Sequence, residues 1–414
     1  AQQPAPVSAA AGAVRLPDRV AIRAGTFRVA GRTLHDVVLG GTREGDVWRA
    51  NIDARELSGY AEYGTQSAGR LYARLARLKI AAGEAGDVET LLDERSDDLP
   101  ALDVVIDDFE LLGKRLGRTE IDAVNLGGRE REWRLNKLVL STPGGVLNAK
   151  GSWAVPAGAA QDAPRRTALD FHLDIEDAGA LLERLGMHGV LARGRGQLSG
   201  QVQWSGSPFA IDYPSLGGQV HLDVASGQFL KADPGIAKLL GVLSLQALPR
   251  RLTLDFRDVF SAGFAFDLIR GDAYIQNGVA ATNNLQMKGV NAAVLMGGQA
   301  DIVHETQDLH VVVVPDINAG TAALVATAIN PAVGLGTFLA QMVLSRPLAV
   351  AATQEFHVDG TWTDPRVSKV EHGSTPKRSQ RSGLPELLSR LPGLSKLPSQ
   401  GEAEAGSATK ENTP

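Results

Sequence analysis

Apolar and polar residues alternate with a period of two through much of this chain, and no other feature limits its fold as tightly. The runs from Gly218 to Val224, Arg251 to Phe256 and Phe264 to Leu268 each place Val, Leu or Phe at every second position. Successive side chains of a strand point to opposite faces, so each run reads as a strand with one apolar and one polar face. Ala225-Ser226-Gly227, Arg270-Gly271-Asp272, Gln276-Asn277-Gly278 and Asn283-Asn284 punctuate the runs with residues suited to tight turns. The pattern predicts an antiparallel β-meander. A parallel βαβ architecture lacks the regular crossover helices it would need.

A self-comparison finds a repeat. Phe27, Gly31, Arg32 and Leu34, followed by Trp48, Arg49 and Ile52, recur as Phe109, Gly113, Lys114 and Leu116, followed by Trp133, Arg134 and Leu138. The phrases Val146 to Trp153 and Gly196 to Trp204 both end a strand on Trp. Repeated strand units stacked edge to edge predict a mainly β fold. It would be an elongated, curled antiparallel sheet, groove- or taco-like, with a few short helices near the C-terminal end.

Three helical segments are expected. Residues 177–185 run from an Asp start to a Gly stop at Gly186. Residues 234–248 follow Asp233-Pro234 with Ile236, Leu239, Leu240 and Leu243 on one face, and residues 319–344 form a pair broken at Asn330-Pro331. Composition divides the chain into a linker (1–14), the repeat pair (15–156), a polar joint (157–166), a larger β module (167–370) and a disordered tail (371–414). Ala1 to Val14 lacks the basic start and apolar core of a signal peptide, and the chain reads as an excerpt of a longer one.

Chemistry is scarce. The chain holds 42 Lys and Arg against 47 Asp and Glu, a net charge of −5, and no basic block that would serve nucleic acid. With no cysteine it has no disulfide scaffold, thiolate zinc site or cysteine nucleophile. The eight histidines are scattered. His304 and His310, the nearest pair, would stand roughly 20 Å apart on a strand, too far to share a metal. No serine-hydrolase elbow, His-Glu-x-x-His or phosphate loop occurs. Asp97-Asp98, Asp107-Asp108, Asp255 and Asp258 are better explained by turns and strand edges. We expect no enzyme, no metal and no cofactor.

What remains is the sheet. Val220, Leu222, Val224, Leu252, Leu254, Phe256, Phe264, Phe266, Leu268, Val311 and Val313 should share one continuous apolar surface, with His221, Asp223, Asp255, Asp267 and His310 opposite. Either that surface closes into a packed core or it lines a trough. Aliphatic walls with aromatics at only 5% of residues suit acyl chains better than sugars.

The stretch from Gly241 to Gly271, centred on Leu248 to Gly271, resembles the C-terminal region of the YhdP branch of the AsmA-like proteins, in the AsmA/TamB superfamily of bridge-like lipid transfer proteins. Flanking phrases agree: Asp177 to Gly186, Gln203 to Pro208, Leu285 to Gly289, Asn330 to Gly334 and Phe356 to Pro365. The resemblance implies a periplasmic protein, anchored in the inner membrane by an N-terminal helix absent from this chain. Its hydrophobic groove would move phospholipids between the inner and outer membranes, and this chain would be the distal segment. The alternative within the superfamily is a TamB-like assembly scaffold for outer-membrane proteins. Ile317 to Ser345 carries no charge, but its Ala and Val content and internal Asn, Thr and Pro make a membrane span unfavourable. A helix pair is expected instead, gating the groove and meeting the inner leaflet of the outer membrane through Leu335, Phe338, Leu339 and Met342. No protein partner is indicated.

Overall fold

A computed structural model describes residues 18–29, 32–66, 68–80, 99–127, 131–160, 163–208, 210–230, 264–289, 292–315 and 353–370. They form one long sheet of strands β1 (Arg19–Val29), β2 (Arg32–Glu44), β3 (Val47–Asp53), β4 (Leu57–Gly64), β5 (Arg70–Ile80), β6 (Ala101–Leu111), β7 (Lys114–Gly127), β8 (Glu132–Thr142) and β9 (Gly145–Ala154). The sheet continues through β10 (Arg166–Ile175), β11 (Leu191–Ser205), β12 (Gly217–Phe229), β13 (Phe264–Gln276), β14 (Val279–Gly289), β15 (Ala292–Asp301), β16 (Thr306–Pro315), β17 (Gln354–Thr361) and β18 (Pro365–Val370). Each strand pairs with its neighbour in sequence, so the fold is mainly β and elongated, as the alternation predicts. One junction departs from the antiparallel meander: β5 and β6 are parallel, with Arg70 opposite Ala101 and Ile80 opposite Leu111. Leu99, on the approach to β6, is buried among Ala123, Trp133 and Trp153 on the apolar face.

The two repeat copies occupy matching strands. Phe27, Leu34 and Trp48 lie on β1, β2 and β3, while Phe109, Leu116 and Trp133 lie on β6, β7 and β8. Trp133 stands opposite Trp153, and Thr167 lies between Trp153 and Trp204, which forms a row of buried Trp near one rim. The indole N–H of Trp133 donates to the Pro100 carbonyl at 3.1 Å, and that of Trp204 to the Ser207 carbonyl at 2.9 Å.

Helix α1 (Ala178–Arg184) sits between β10 and β11 at the opposite rim, capped by the Asp177 carboxylate, which accepts from the Ala180 N–H at 3.0 Å. Leu181 and Leu182 turn into a core with Leu173, Leu198, Val224 and Phe266. Strands approach each other closely where glycine allows it. A Cβ on Gly196 would collide with the Asp223 carbonyl oxygen and stand 2.7 Å from the Val224 Cα. Gly196→Ala should therefore cost on the order of 2 kcal/mol or more through forced backbone displacement. Urea unfolding checks this, and an unchanged midpoint would contradict the register.

Segments 234–248, 319–344 and 371–414, and with them Leu252, Leu254, Asp255, Phe256, Leu335, Phe338, Leu339 and Met342, lie outside the described residues.

Candidate functional site

Residues directly opposite on neighbouring strands face the same side of a sheet, so the register can be followed across the molecule as rungs. One rung runs Ile22, Leu39, Ile52, Gly59, Leu75, Ile106, Thr119, Leu140, Leu147, Leu173, Leu198, Leu222, Gly271, from β1 to β13. Beside it runs Val20, Gly41, Ala50, Ala61, Ala73, Val104, Ile121, Leu138, Ala149, Phe171, Gly200, Val220, Ala273. A third carries Trp48, Tyr63, Leu71, Leu102, Ala123, Leu135, Gly151, Leu169, Val202, Gly218, Ile275 and Ala280. Three parallel apolar rungs thus cross the strands over roughly 60 Å, at about 4.8 Å per strand. Thr119 is the one polar side chain in the first rung outside its glycines, and its buried hydroxyl has no hydrogen-bond partner.

Coverage of this face varies along the sheet. Ile22, Leu39, Ala50, Ile52 and Ala61 at one end are half-buried, as are Leu140, Leu147, Leu173 and Leu198 farther along. Around β5 to β7 the face is closed, with Ala73, Ile106 and Ala123 each at 3% exposure or less. At β12 to β17 it becomes a packed core of Val224, Phe266, Met287, Val294, Val311, Val313, Phe356 and Val358. There β15 and β16 are buried on both faces: Leu295, Val312 and Val314 are as inaccessible as Val294 and Val313.

Among the residues singled out from the sequence, Val224, Phe266, Val311 and Val313 lie in that core, with Leu222 packed against it. Val220 lies on the second rung, half-buried, and Phe264 opens β13 opposite Phe229. Leu268 does not follow Phe266. A β-bulge at Asp267 shifts the pairing with β14, so Ile269 faces Val224 and Met287 in the core, and Leu268 stands between Ala225 and Lys288. Ser226, opposite the bulge, has a φ of 56°.

The other face is a lattice of ion pairs. Arg270 donates to Asp223 at 3.0 Å, Lys137 to Glu120 at 2.7 Å and Arg74 to Asp103 at 2.7 Å. His221 meets Asp272 at 2.8 Å, His310 meets Glu355 at 3.3 Å, and Asp267 lies 3.9 Å from Lys288. The Lys137 ammonium holds the Glu120 carboxyl below its usual range, and His304 does the same for Asp301. Two hollows open on this side. One of about 760 Å³ is lined by Asn51, Tyr60, Arg74 and Asp107, and one of about 420 Å³ by Asp170, His172, Gln219 and Asp272. Among the described residues no three His, Asp or Glu side chains come together as metal ligands, and no helix is long and apolar enough to cross a membrane.

Glu56 ties β2 to the β3–β4 turn. Its burial disfavours the charge, but bonds from the His35 N–H and ring, each at 2.8 Å, outweigh that and lower its carboxyl below the ordinary 4.5. A carboxylate depressed in the folded state stabilises above its unfolded pKa, and that contribution disappears as pH falls through the folded value. Glu56→Gln should therefore flatten the loss of stability on acidification below about pH 4.5. Urea midpoints measured across that range check it; parallel curves for the two proteins would refute it.

Comparison with known proteins places this geometry. No solved structure matches the chain. The Escherichia coli K12 protein described as "Intermembrane phospholipid transporter YhdP" is 29% identical over 269 residues, covering 65% of this chain and 21% of that protein. The chain thus spans about a fifth of that relative's length. The family model described as YhdP protein matches residues 3–367. That match takes in every strand from β1 to β17 and begins before the first rung, so the chain belongs to the YhdP family.

Proposed function

We propose that this chain carries phospholipid along its apolar face, as part of a periplasmic conduit between the inner and outer membranes. The observation that carries the reading is the set of three apolar rungs in register across β1 to β13. A single-layer sheet with half-buried apolar side chains leaves hydrocarbon surface that water covers poorly, and each acyl CH₂ laid against it recovers about 0.8 kcal/mol. The sheet curls around the acyl chains while the charged head group stays hydrated at the open side. Movement then runs across the strands, where every step offers nearly the same surface. No bond is made or broken, and no cofactor takes part.

In this reading the packed core at β12 to β17 ends the open path, and the chain forms the distal part of the conduit. An N-terminal helix outside this chain anchors the whole in the inner membrane, and the apolar segment 319–344 meets the outer membrane's inner leaflet. The name of the E. coli relative supports the cargo. Native mass spectrometry of gently purified protein tests it: bound phospholipid is the expected result, and a lipid-free protein that also fails to take up phospholipid from vesicles would overturn it. Photo-crosslinkers at Leu335 and Phe338 should capture phospholipid in cells; capture of protein alone would remove the membrane role of that segment.

A further inference from the structure

Four successive turns along one rim each present an exposed apolar side chain. Ile211 and Tyr213 lie in the β11–β12 loop, Val303 in the β15–β16 turn and Trp362 in the β17–β18 turn, at 49, 49, 40 and 44% exposure. The β13–β14 turn joins them: Gly278 donates to the Leu216 carbonyl at 2.9 Å, and Ile302 donates to the Gly278 carbonyl at 2.9 Å. A Cβ on Gly278 would stand 2.5 Å from the Tyr213 carbonyl oxygen and 2.7 Å from Val303 Cγ2, so these two loops close on the glycine from both sides. Trp362 donates from its backbone to the Glu305 carbonyl at 2.8 Å, which extends the line to the end of the sheet.

We propose that this rim is a docking edge for a zwitterionic membrane surface. Trp133, Trp153 and Trp204, on nearby strands, are buried at 5% exposure or less. Trp362 instead projects from a turn, paired along the rim with a Tyr. Amphipathic aromatics with an apolar body and a polar tip favour the bilayer interface. The four side chains stand singly on separate turns rather than around a pocket, and none of them lines either hollow. A deformable interface can accept each tip independently, whereas a folded partner needs a matching cleft for each.

The same turns carry Asp212, Glu305 and Asp364, and their histidine, His304, is held by Asp301 at 2.8 Å. That acidic setting disfavours anionic lipid, which selects zwitterionic head groups. The third rung reaches this rim, since Ile275 and Ala280 flank the Asn277-Gly278 turn. A lipid leaving the bilayer here meets the apolar face directly. The proposal deepens the lipid-carrying reading, and its test separates the two.

The full chain should float with phosphatidylcholine vesicles, and replacing part of the phosphatidylcholine by phosphatidylglycerol at low salt should weaken flotation. A variant with Ile211→Ser, Tyr213→Ser, Val303→Ser and Trp362→Ser should bind the vesicles at least about tenfold less, with melting and bound phospholipid unchanged. Brominated phosphatidylcholine should quench the fluorescence that Trp362→Phe removes, a measurement on the native fold should the fourfold variant misfold. Equal flotation of variant and parent, no flotation of the parent, or a change only in self-association would each overturn the proposal. Tip-dependent flotation by a protein that carries no lipid would uphold the docking edge and count against the conduit.

Discussion

Phe266→Asp should abolish cooperative folding of the β12 to β17 core. The Phe266 ring is 2% exposed, lies 5.4 Å from the Phe229 ring and occupies the space a side chain on Gly227 would need. Removing a buried Phe costs about 3–5 kcal/mol, and leaving an unpaired carboxylate there adds several more, against about 5–15 kcal/mol for the whole stability of a typical domain. Phe266→Leu, which keeps most of the volume, should cost about 1 kcal/mol. Thermal melts followed by near-ultraviolet circular dichroism distinguish the two. A folded Phe266→Asp protein that has lost only its lipid would mean this part of the face opens to cargo.

Ala50→Asp should do the reverse, sparing the fold and removing the cargo. Ala50 is half-buried on the second rung, between Gly41 and Ala61, where small side chains leave a shallow strip beside Leu39 and Ile52. A carboxylate there stays hydrated while the surface is empty, so stability should change by no more than about 1 kcal/mol. An acyl chain crossing it must strip that hydration, and bound phospholipid should fall at least about tenfold. Asn51→Asp, one residue along and on the polar face, is the control and should leave lipid content unchanged. Equal loss in both variants would mean that charge, not the rung, governs binding.

The difference between these two positions was only partly legible in the sequence. Period-two alternation fixes which side of its own strand a residue takes, and it correctly separates Val224 from Asp223 and Val311 from His310. It carries no information on how strands are staggered. Ala50, Ala61 and Ala73 become a continuous strip only through the pairing of β3, β4 and β5. Leu268 shows where local periodicity fails, because a single inserted residue at Asp267 reverses the face of everything after it. The register of Asp223 with Arg270, which completes the ionic face, joins residues separated by a long insertion and leaves no local trace. Composition likewise cannot distinguish the half-open rungs near β1 from the closed core near β16, since both are built from Val, Leu and Ile. Coverage depends on what lies above the sheet.

The parallel pairing of β5 with β6 divides the sheet kinetically. Every other junction is a hairpin or hairpin-like connection whose strands can zip from a turn, but β5 and β6 meet at one constant sequence separation, from Arg70 with Ala101 to Ile80 with Leu111. No residue pair in that junction is local enough to begin it, and loop closure must come first. The molecule is therefore two meanders, β1 to β5 and β6 to β18, each able to nucleate by itself and joined late along a seam. Under a pull along the conduit, or in the earliest local openings seen by hydrogen exchange, this seam is where the sheet should part.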